Sequence, residues 1–223
     1  MPPRHALVVM LAAALAGLGT EADAETAEDA YRRGDRAAAF TAWQRRAEAG
    51  DAIARLNAAI LVDQGRGAPR DPAVAARWYR QAAEQGVARA AYNLARMLLD
   101  GDGQPADAAA AAGWFTRAAE AGDAIAQFEL GQLLAEGRDG LAADPAAAAA
   151  WLARAAEQNH AQALFRLGTL YANGTGVPRD LAKATALFER ADVALMSDES
   201  NTSCTTQRSA QRLAQCRRVV PLM

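Results

Sequence analysis

A repeat of about 36 residues constrains the fold of this 223-residue chain more than any other feature. Gly50, Gly86 and Gly122 are 36 residues apart, and Asn159 follows 37 residues after the last of them. A similar pair of segments follows each of these positions, and the second segment of the first three pairs contains the pattern W-x(3)-AA. Self-similarity at this period is typical of stacked supersecondary units. We therefore predict four repeats at residues 50–194, preceded by a degenerate repeat at 25–49; the four are 50–85, 86–121, 122–158 and 159–194.

Each repeat is predicted to form two antiparallel helices. Apolar residues in the first segment recur with the period of one helix face. Paired glycines such as Gly101 and Gly103 then supply the left-handed backbone that ends a helix. Asp71-Pro72 and its counterparts provide the N-cap and the first residue of the second helix. Aromatic residues make up only 6 % of the chain, so alanine forms most of the expected core, and this favours closely packed helices in an all-α fold.

The repeat pattern resembles the Sel-one-like (Sel1-like) repeat family, relatives of the tetratricopeptide repeat. The fourth repeat carries the fullest match, with Leu167-Gly168, Leu170-Tyr171, Gly176-Val177 and Lys183-Ala184. The resemblance implies a right-handed α-solenoid of antiparallel helix pairs that acts as an adaptor for protein partners. Gly131 and Gly168 are expected where two helices approach most closely, whereas Ala59 and Ala95 replace this glycine in the first two repeats.

The N-terminus has the pattern of a signal peptide. A weakly basic start at Arg4 and His5 precedes an apolar run over residues 6–18, which is shorter than the roughly 20 residues that span a bilayer. Ala22-Asp23-Ala24 supplies a small-x-small cleavage site before Glu25. We therefore expect removal of residues 1–24, a periplasmic or secreted location, and no membrane span in the mature chain.

The segment 195–223 departs from the repeat and is predicted to be a tail that caps the last repeat. Its second half, RSAQRLAQCRRVV, is compatible with a short amphipathic helix. Cys204 and Cys216 are candidates for a disulfide in an exported protein. Twelve residues of continuous helix would separate their Cα atoms by roughly 18 Å, so the bond requires the chain to fold back between them. Intermolecular pairing and free thiols remain alternatives.

The composition argues against several classes of function. A formal net charge of −2 is unlike that of a nucleic-acid-binding protein. A zinc site needs three or four His, Cys or carboxylate ligands, and a supply of two histidines and two cysteines argues against one, so we expect no metal and no cofactor. His160 is the only histidine of the predicted mature chain and is interpreted as a solvated residue at a helix end. Trp78, Trp114 and Trp151 are interpreted as interhelical packing residues rather than as a platform for sugars. Most repeat aspartates are predicted to cap helices, so we expect a non-enzymatic protein, although a catalytic carboxylate pair stays open.

One face of the first helix in each repeat is the candidate binding surface, and we name it the first-helix face. Its positions are spaced i, i+4, i+7 and i+11 and lie off the apolar stripe. The candidate partner-binding residues on it are Asn57, Arg89, Asn93, Arg96, Glu129, Gln132, Arg166 and Thr169. Amide side chains can both donate to and accept from a peptide backbone. Arg89 and Arg96 are placed to hold a partner carboxylate. The alternative is a solvated surface without a binding role.

The leading functional hypothesis is an exported, non-enzymatic adaptor that binds a protein or peptide through the concave first-helix face. A variant of this hypothesis is a regulator that sequesters the periplasmic domain of a membrane sensor. The alternative is a structural factor of the cell envelope that binds peptidoglycan or its synthesis machinery.

Overall fold

The computed structural model describes residues 27–199, which fall into two compact units divided between Ala106 and Asp107. The predicted signal peptide and both cysteines lie outside these residues. The helices of the first unit are α1 (27–32), α2 (Arg36–Glu48), α3 (Ala52–Gln64), α4 (Pro72–Glu84) and α5 (Ala88–Asp100). From α2 to α5, each helix packs against the next, and the short connections make neighbours antiparallel.

The second unit continues the same pattern. Its helices are α6 (Ala108–Glu120), α7 (Ala124–Glu136), α8 (Pro145–Glu157), α9 (Ala161–Asn173) and α10 (Leu181–Glu199), and each packs against the next. Within residues 27–199 the regular elements are helices, apart from one isolated bridge between Arg138 and Leu141. The prediction of an all-α fold with a helix pair about every 36 residues is confirmed. None of the helices in the described part of the chain is long and apolar enough to cross a membrane.

Aspartate side chains begin the second helices as predicted. Oδ1 of Asp71 accepts the backbone N–H of Val74 at 3.0 Å, and Pro72 occupies the first turn. Asp107, Asp144 and Asp180 cap their helices through the same contact, at 2.8–2.9 Å. Such a cap satisfies one of the N–H groups that have no partner inside the helix, and its loss typically costs about 1 kcal/mol.

The second glycine of the G-x-G loops lies against the preceding repeat. Gly103 has φ +73°, and a Cβ added to it would lie 2.4 Å from the carbonyl carbon of Pro72. Gly67 and Gly176 make the equivalent approach to Arg36 and Pro145, the first residues of helices α2 and α8. This glycine therefore closes the loop and also allows backbone to meet backbone between successive repeats.

The extra residue of the third repeat lies in a hairpin loop between Gly137 and Asp144. Arg138 and Leu141 exchange two backbone hydrogen bonds of 3.0 and 2.8 Å. Asp139 and Gly140 form the turn with φ of 40° and 89°, the Asp-Gly combination that two-residue hairpins favour. The insertion is therefore absorbed outside the helices. At the other end of this unit, α10 continues to Glu199, beyond the point at which the sequence predicted the tail to begin.

The core combines many alanines with larger apolar residues, and one large residue recurs at the same position of every second helix. That large residue is Tyr79, Phe115, Leu152 or Phe188. In the third and fourth repeats, this large residue faces a glycine of the first helix, namely Gly131 or Gly168. A Cβ added to Gly131 would lie 2.7 Å from Cγ of Leu152, and one added to Gly168 would lie 2.7 Å from Cε1 of Phe188. The predicted close approach at both glycines is confirmed.

Candidate partner-binding surface

In the first unit, two of the predicted binding residues are exposed and two are half-buried. Arg89 and Arg96 are exposed on α5, whereas Asn57 on α3 and Asn93 on α5 are half-buried. Asn93 hydrogen-bonds the hydroxyl of Tyr79, a residue of α4 that is otherwise buried. The amide therefore anchors the middle of the surface, and the two arginines flank it on the same helix.

Asp63 is a neighbour of this group that the sequence prediction did not include. Tyr79 donates its hydroxyl hydrogen to Oδ2 of Asp63 at 3.5 Å. Arg96 contributes a favourable charge interaction to Asp63, and Arg89 does the same for the ionised form of Tyr79. The structure therefore brings Arg89, Asn93 and Arg96 together around one tyrosine and one carboxylate, and we name these five residues the Asp63–Tyr79 cluster.

The ionisation of this cluster is shifted by burial. Burial raises the pKa of Asp63 above the ordinary range of an aspartate, and the charge of Asp102 adds to the effect. Arg70, Tyr79 and Arg96 act in the opposite direction without reversing the shift. Burial, and then the proximity of Asp63, also raises the pKa of the Tyr79 hydroxyl, which stays protonated at neutral pH. Tyr79 is therefore a hydrogen-bond donor here.

Arg70 connects the cluster to the loop of the next repeat. Its Nε donates to the backbone carbonyl of Asp63 at 2.9 Å, and its Nη2 forms an ion pair with Asp102. Arg179 in the fourth repeat makes the same Nε contact, to Ala172 O at 3.0 Å. The backbone contact is therefore a structural feature of the repeat, whereas the carboxylate of Asp63 is an addition specific to the first repeat.

A repeat alignment could have revealed Asp63 and Tyr79. The position of Asp63 is occupied by Leu99, Ala135 and Ala172 in the other repeats. The position of Tyr79 is occupied by Phe115, Leu152 and Phe188. In the first repeat alone, both members of an otherwise apolar pair carry oxygen, and deviations of this kind from a local rule are expected at functional or strained sites.

In the second unit, two of the predicted residues contact each other across helices. With the Gln132 amide turned so that both groups are satisfied, its oxygen accepts from Nε and Nη2 of Arg166 at 3.3 and 2.9 Å. Thr169 donates its hydroxyl to the backbone carbonyl of Phe165 at 3.0 Å, within its own helix. Glu129 is half-buried on α7. The structure thus joins α7 to α9 on this face and leaves Arg166 exposed.

An isoleucine occupies the same position of the first-helix face in each unit. Ile53 is 54 % exposed on α3, and Ile125 is 50 % exposed on α7. Single exposed apolar residues are common on protein surfaces. Here the two share one register position with Arg89, so apolar contact area lies on the same predicted face as the charged and amide groups.

His160 and the tryptophans have structural roles. His160 caps α9, with Nδ1 accepting the N–H of Ala163 at 3.3 Å, and its ring stacks on Phe128 at 4.8 Å. The predicted helix-end position is confirmed, but the ring is half-buried rather than solvated, and burial lowers its pKa against a smaller opposing effect of Asp123. Trp78 is buried against Phe40.

The rings of Trp114 and Trp151 are half-buried beneath the guanidinium groups of Arg117 and Arg154, at 4.4 and 4.5 Å. Both contacts lie within one helix, so the interhelical packing of Trp114 and Trp151 stays a prediction. In residues 27–199, no group of three His, Cys, Asp or Glu side chains comes together as a metal site requires. Cys204 and Cys216 lie outside the described residues, so their pairing stays a prediction.

Two helices per repeat, each of 13 residues except the 19-residue α10, define a helical-repeat protein of the tetratricopeptide-like class. The family model of the Sel1 repeat matches residues 52–87, 88–123, 124–160 and 161–191. The chain therefore belongs to the Sel1 repeat family. The matched frames begin at the first residues of α3, α5, α7 and α9, two residues after the frames predicted from the sequence. Proteins of this family generally mediate protein–protein interactions and are generally non-catalytic scaffolds.

The solved structures that are similar to this chain include the following two. A Sel1 repeat protein from Oxalobacter formigenes has 35 % sequence identity and a TM-score of 0.64, over 81 % of this chain and 49 % of that one. A protective antigen of uropathogenic Escherichia coli strains with an SLR fold has 27 % identity and a TM-score of 0.68, over 71 % of this chain and 35 % of that one. The chain thus spans about half and about a third of these two proteins. None of the curated proteins matches it at a significant level.

Proposed function

We propose that the chain is an exported, non-catalytic adaptor that binds an acidic segment of a protein partner through its first-helix face. Arg89, Asn93 and Arg96 form the centre of the contact in the first unit. The observation that carries this proposal is the Asp63–Tyr79 cluster. It places a half-buried carboxylate and a buried hydroxyl at two positions that are apolar in the other three repeats.

The cluster is costly to the folded state, and this supports a role in binding. A carboxyl group with a raised pKa is less favourable in its charged form inside the protein than in water. Ionisation of Asp63 therefore lowers the stability of the fold at neutral pH relative to its protonated form. Natural proteins accept such costs where activity requires the group. By this reasoning Asp63 orients Tyr79 and Arg96 for a ligand.

The spacing of the two arginines fits an extended peptide. Arg89 and Arg96 are seven positions apart on α5, which corresponds to about 10 Å along a helix axis. Three residues of a polyproline II segment cover about 9 Å and bring the side chain back to the same face. Guanidinium groups hold carboxylates bidentately, so a partner segment with two acidic side chains three residues apart would satisfy both arginines.

Export is part of the proposal because of the N-terminal sequence. The apolar run over residues 6–18 is too short to span a bilayer and is followed by Ala22-Asp23-Ala24. A periplasmic or secreted adaptor is then expected to meet other envelope or secreted proteins, including the periplasmic domain of a membrane sensor.

A crosslinking pull-down from the native host tests this proposal. The bait is the mature chain, and the variant is the double substitution Arg89→Ala with Arg96→Ala. Loss of two arginine anchors is expected to weaken capture of the partner by about tenfold or more. The melting temperature is expected to be unchanged because both side chains are exposed. Asp63→Asn should also weaken capture, while keeping or raising the melting temperature.

The matched control is Arg77→Ala with Arg80→Ala, two exposed arginines on α4. Loss of capture in this control with retention in the Arg89/Arg96 variant would place the partner on a different surface. Cosedimentation with purified sacculi, unaffected by either variant, would instead favour the structural role at peptidoglycan. Capture of the periplasmic domain of a membrane sensor would support the regulatory variant of the adaptor hypothesis.

A further inference from the structure

The outer end of the fourth repeat carries a surface that differs from the equivalent surface of every earlier repeat. Its residues are Phe165 on α9 and Thr185, Glu189, Asp192 and Met196 on α10, and we name this surface the end face. Phe165 is 44 % exposed and Met196 is 52 % exposed. Large apolar side chains are therefore open to solvent beside two carboxylates.

The third repeat shows what normally covers this position. Phe128 corresponds to Phe165, and it is only 6 % exposed because the next repeat packs over it, with the ring of His160 at 4.8 Å. Phe165 retains its contact inside its own repeat, since its ring lies 5.3 Å from that of Phe188. Within the described part of the chain, no further first helix follows α10, so Phe165 has no counterpart of His160 to cover it.

The second helix changes in the same way. Two positions that are buried alanines in the first three repeats become Thr185 and Asp192 in the fourth. The alanines are Ala76, Ala112 and Ala149 at the first position, and Ala83, Ala119 and Ala156 at the second. Glu189 stands where the third repeat has the half-buried Ala153. The end face is thus an aromatic surface with two acidic groups, rather than the small apolar surface on which another repeat packs.

Residues 208–220 of the chain complement this surface. They contain four arginines, no acidic residue and four apolar residues at helical spacing, namely Ala210, Leu213, Cys216 and Val220. Their length is 13 residues, which equals that of α9, and Pro221 follows as a helix stop. The eight residues between Glu199 and Arg208 can reach about 26 Å when extended. Packed helices lie only about 8–10 Å apart, so this link is long enough for the chain to fold back.

We propose that residues 208–220 dock on the end face of the same chain. In this arrangement their apolar side chains cover Phe165, and their arginines pair with Glu189 and Asp192. Arg190 does not compete for these carboxylates, because it donates to the backbone carbonyl of Ala156 at 3.0 Å and to Asn159 at 3.1 Å. The end face would thus bind a basic segment of its own chain. The proposal does not depend on the adaptor function.

Limited proteolysis with trypsin tests the docking, because Arg208, Arg212, Arg217 and Arg218 are all cleavage sites for this protease. The full mature chain is compared with its variant Glu189→Gln/Asp192→Asn, in the presence of a reductant so that cysteine pairing does not contribute. Loss of two ion pairs is expected to accelerate cleavage after Arg212 by about threefold or more. About 1 M salt, which shortens the Debye length to about 3 Å, should have the same effect on the unsubstituted chain. Leu213→Asp, which changes the docking segment instead of the end face, should also accelerate cleavage.

The matched control is Glu136→Gln/Glu157→Gln, two exposed carboxylates of the same unit that lie outside the end face. It is expected to be cleaved at the rate of the unsubstituted chain. Melting temperatures identify any variant that fails to fold. Cleavage of the unsubstituted chain as fast as that of a free peptide of residues 200–223 would overturn the proposal. Protection that rises with protein concentration would also overturn it, since the occupant would then be the segment of a second copy.

Discussion

Substitution of Gly131 by leucine tests the helix packing of the repeat most directly. A Cβ at this position would lie 2.7 Å from Cγ and 3.0 Å from Cδ2 of Leu152, and 3.3 Å from the backbone carbonyl oxygen of Ala148. Carbon atoms in contact prefer about 3.5–4.0 Å, so the first added atom already overlaps by roughly 1 Å. Leu152 is only 1 % exposed, so it cannot move aside into solvent.

The magnitude follows from the added volume. Inserting methylene groups into a packed core typically costs about 1–3 kcal/mol. Replacing a helical glycine returns about 0.5–1 kcal/mol through lost conformational freedom of the unfolded chain. Gly131→Ala is therefore expected to destabilise by about 1 kcal/mol. Gly131→Leu adds three further carbon atoms at the same place and is expected to destabilise by about 3 kcal/mol or more, which is a large part of the 5–15 kcal/mol of a typical domain.

The assay is thermal unfolding followed by circular dichroism. A change of 1 kcal/mol shifts the melting temperature of a chain of this size by about 2–4 °C, so Gly131→Leu should lower it by about 6 °C or more. Gly113→Ala is the matched control, because Gly113 lies exposed in α6 and an added Cβ meets nothing within 4 Å. That control should raise the melting temperature slightly. A leucine variant that melts with the unsubstituted protein, or a control that loses stability, would refute the reasoning.

Three further expectations follow from other parts of the chain. Gly103→Ala should destabilise by about 2 kcal/mol or more, because the added Cβ meets the backbone of Pro72 at 2.4 Å in a left-handed conformation, and urea denaturation measures the loss. His160 has a lowered pKa in the folded state, so its contribution is present above its unfolded value near 6.5 and is lost as the pH falls below it. His160→Asn, which keeps a cap for α9, should therefore lose less stability between pH 7 and pH 5 than the unsubstituted chain. Mass spectrometry of the native protein should find Glu25 as the first residue, and an intact N-terminus would contradict export.

The helix pairs could be predicted from sequence because several local signals agree at the same residues. Asp71 is followed by Pro72, and each contributes a separate term to the start of α4. Gly65 ends α3 in the left-handed conformation that glycine adopts most easily. Repetition then reinforces each signal, since an assignment made in one repeat is checked by the others.

The first-helix face was predictable as a set of positions but not as a set of contacts. The spacing placed Arg89, Asn93 and Arg96 on one side of α5. It did not show that Asn93 reaches the hydroxyl of Tyr79 on α4, because helical spacing describes one helix and this contact joins two. For the same reason, the interpretation of His160 as solvated did not anticipate its stacking on Phe128, which belongs to the preceding repeat.

A repeat protein supplies its own reference for judging which residues serve packing and which do not. Where three repeats carry an apolar pair, as at Ala172 and Phe188, the repeat geometry alone accounts for the residue types. Asp63 and Tyr79 occupy those two positions in the first repeat, so the repeat geometry does not require the carboxylate and the hydroxyl there. Under the proposed function these two groups serve partner binding. We therefore predict that exchanging the pair for alanine and phenylalanine leaves a stable protein that binds its partner more weakly.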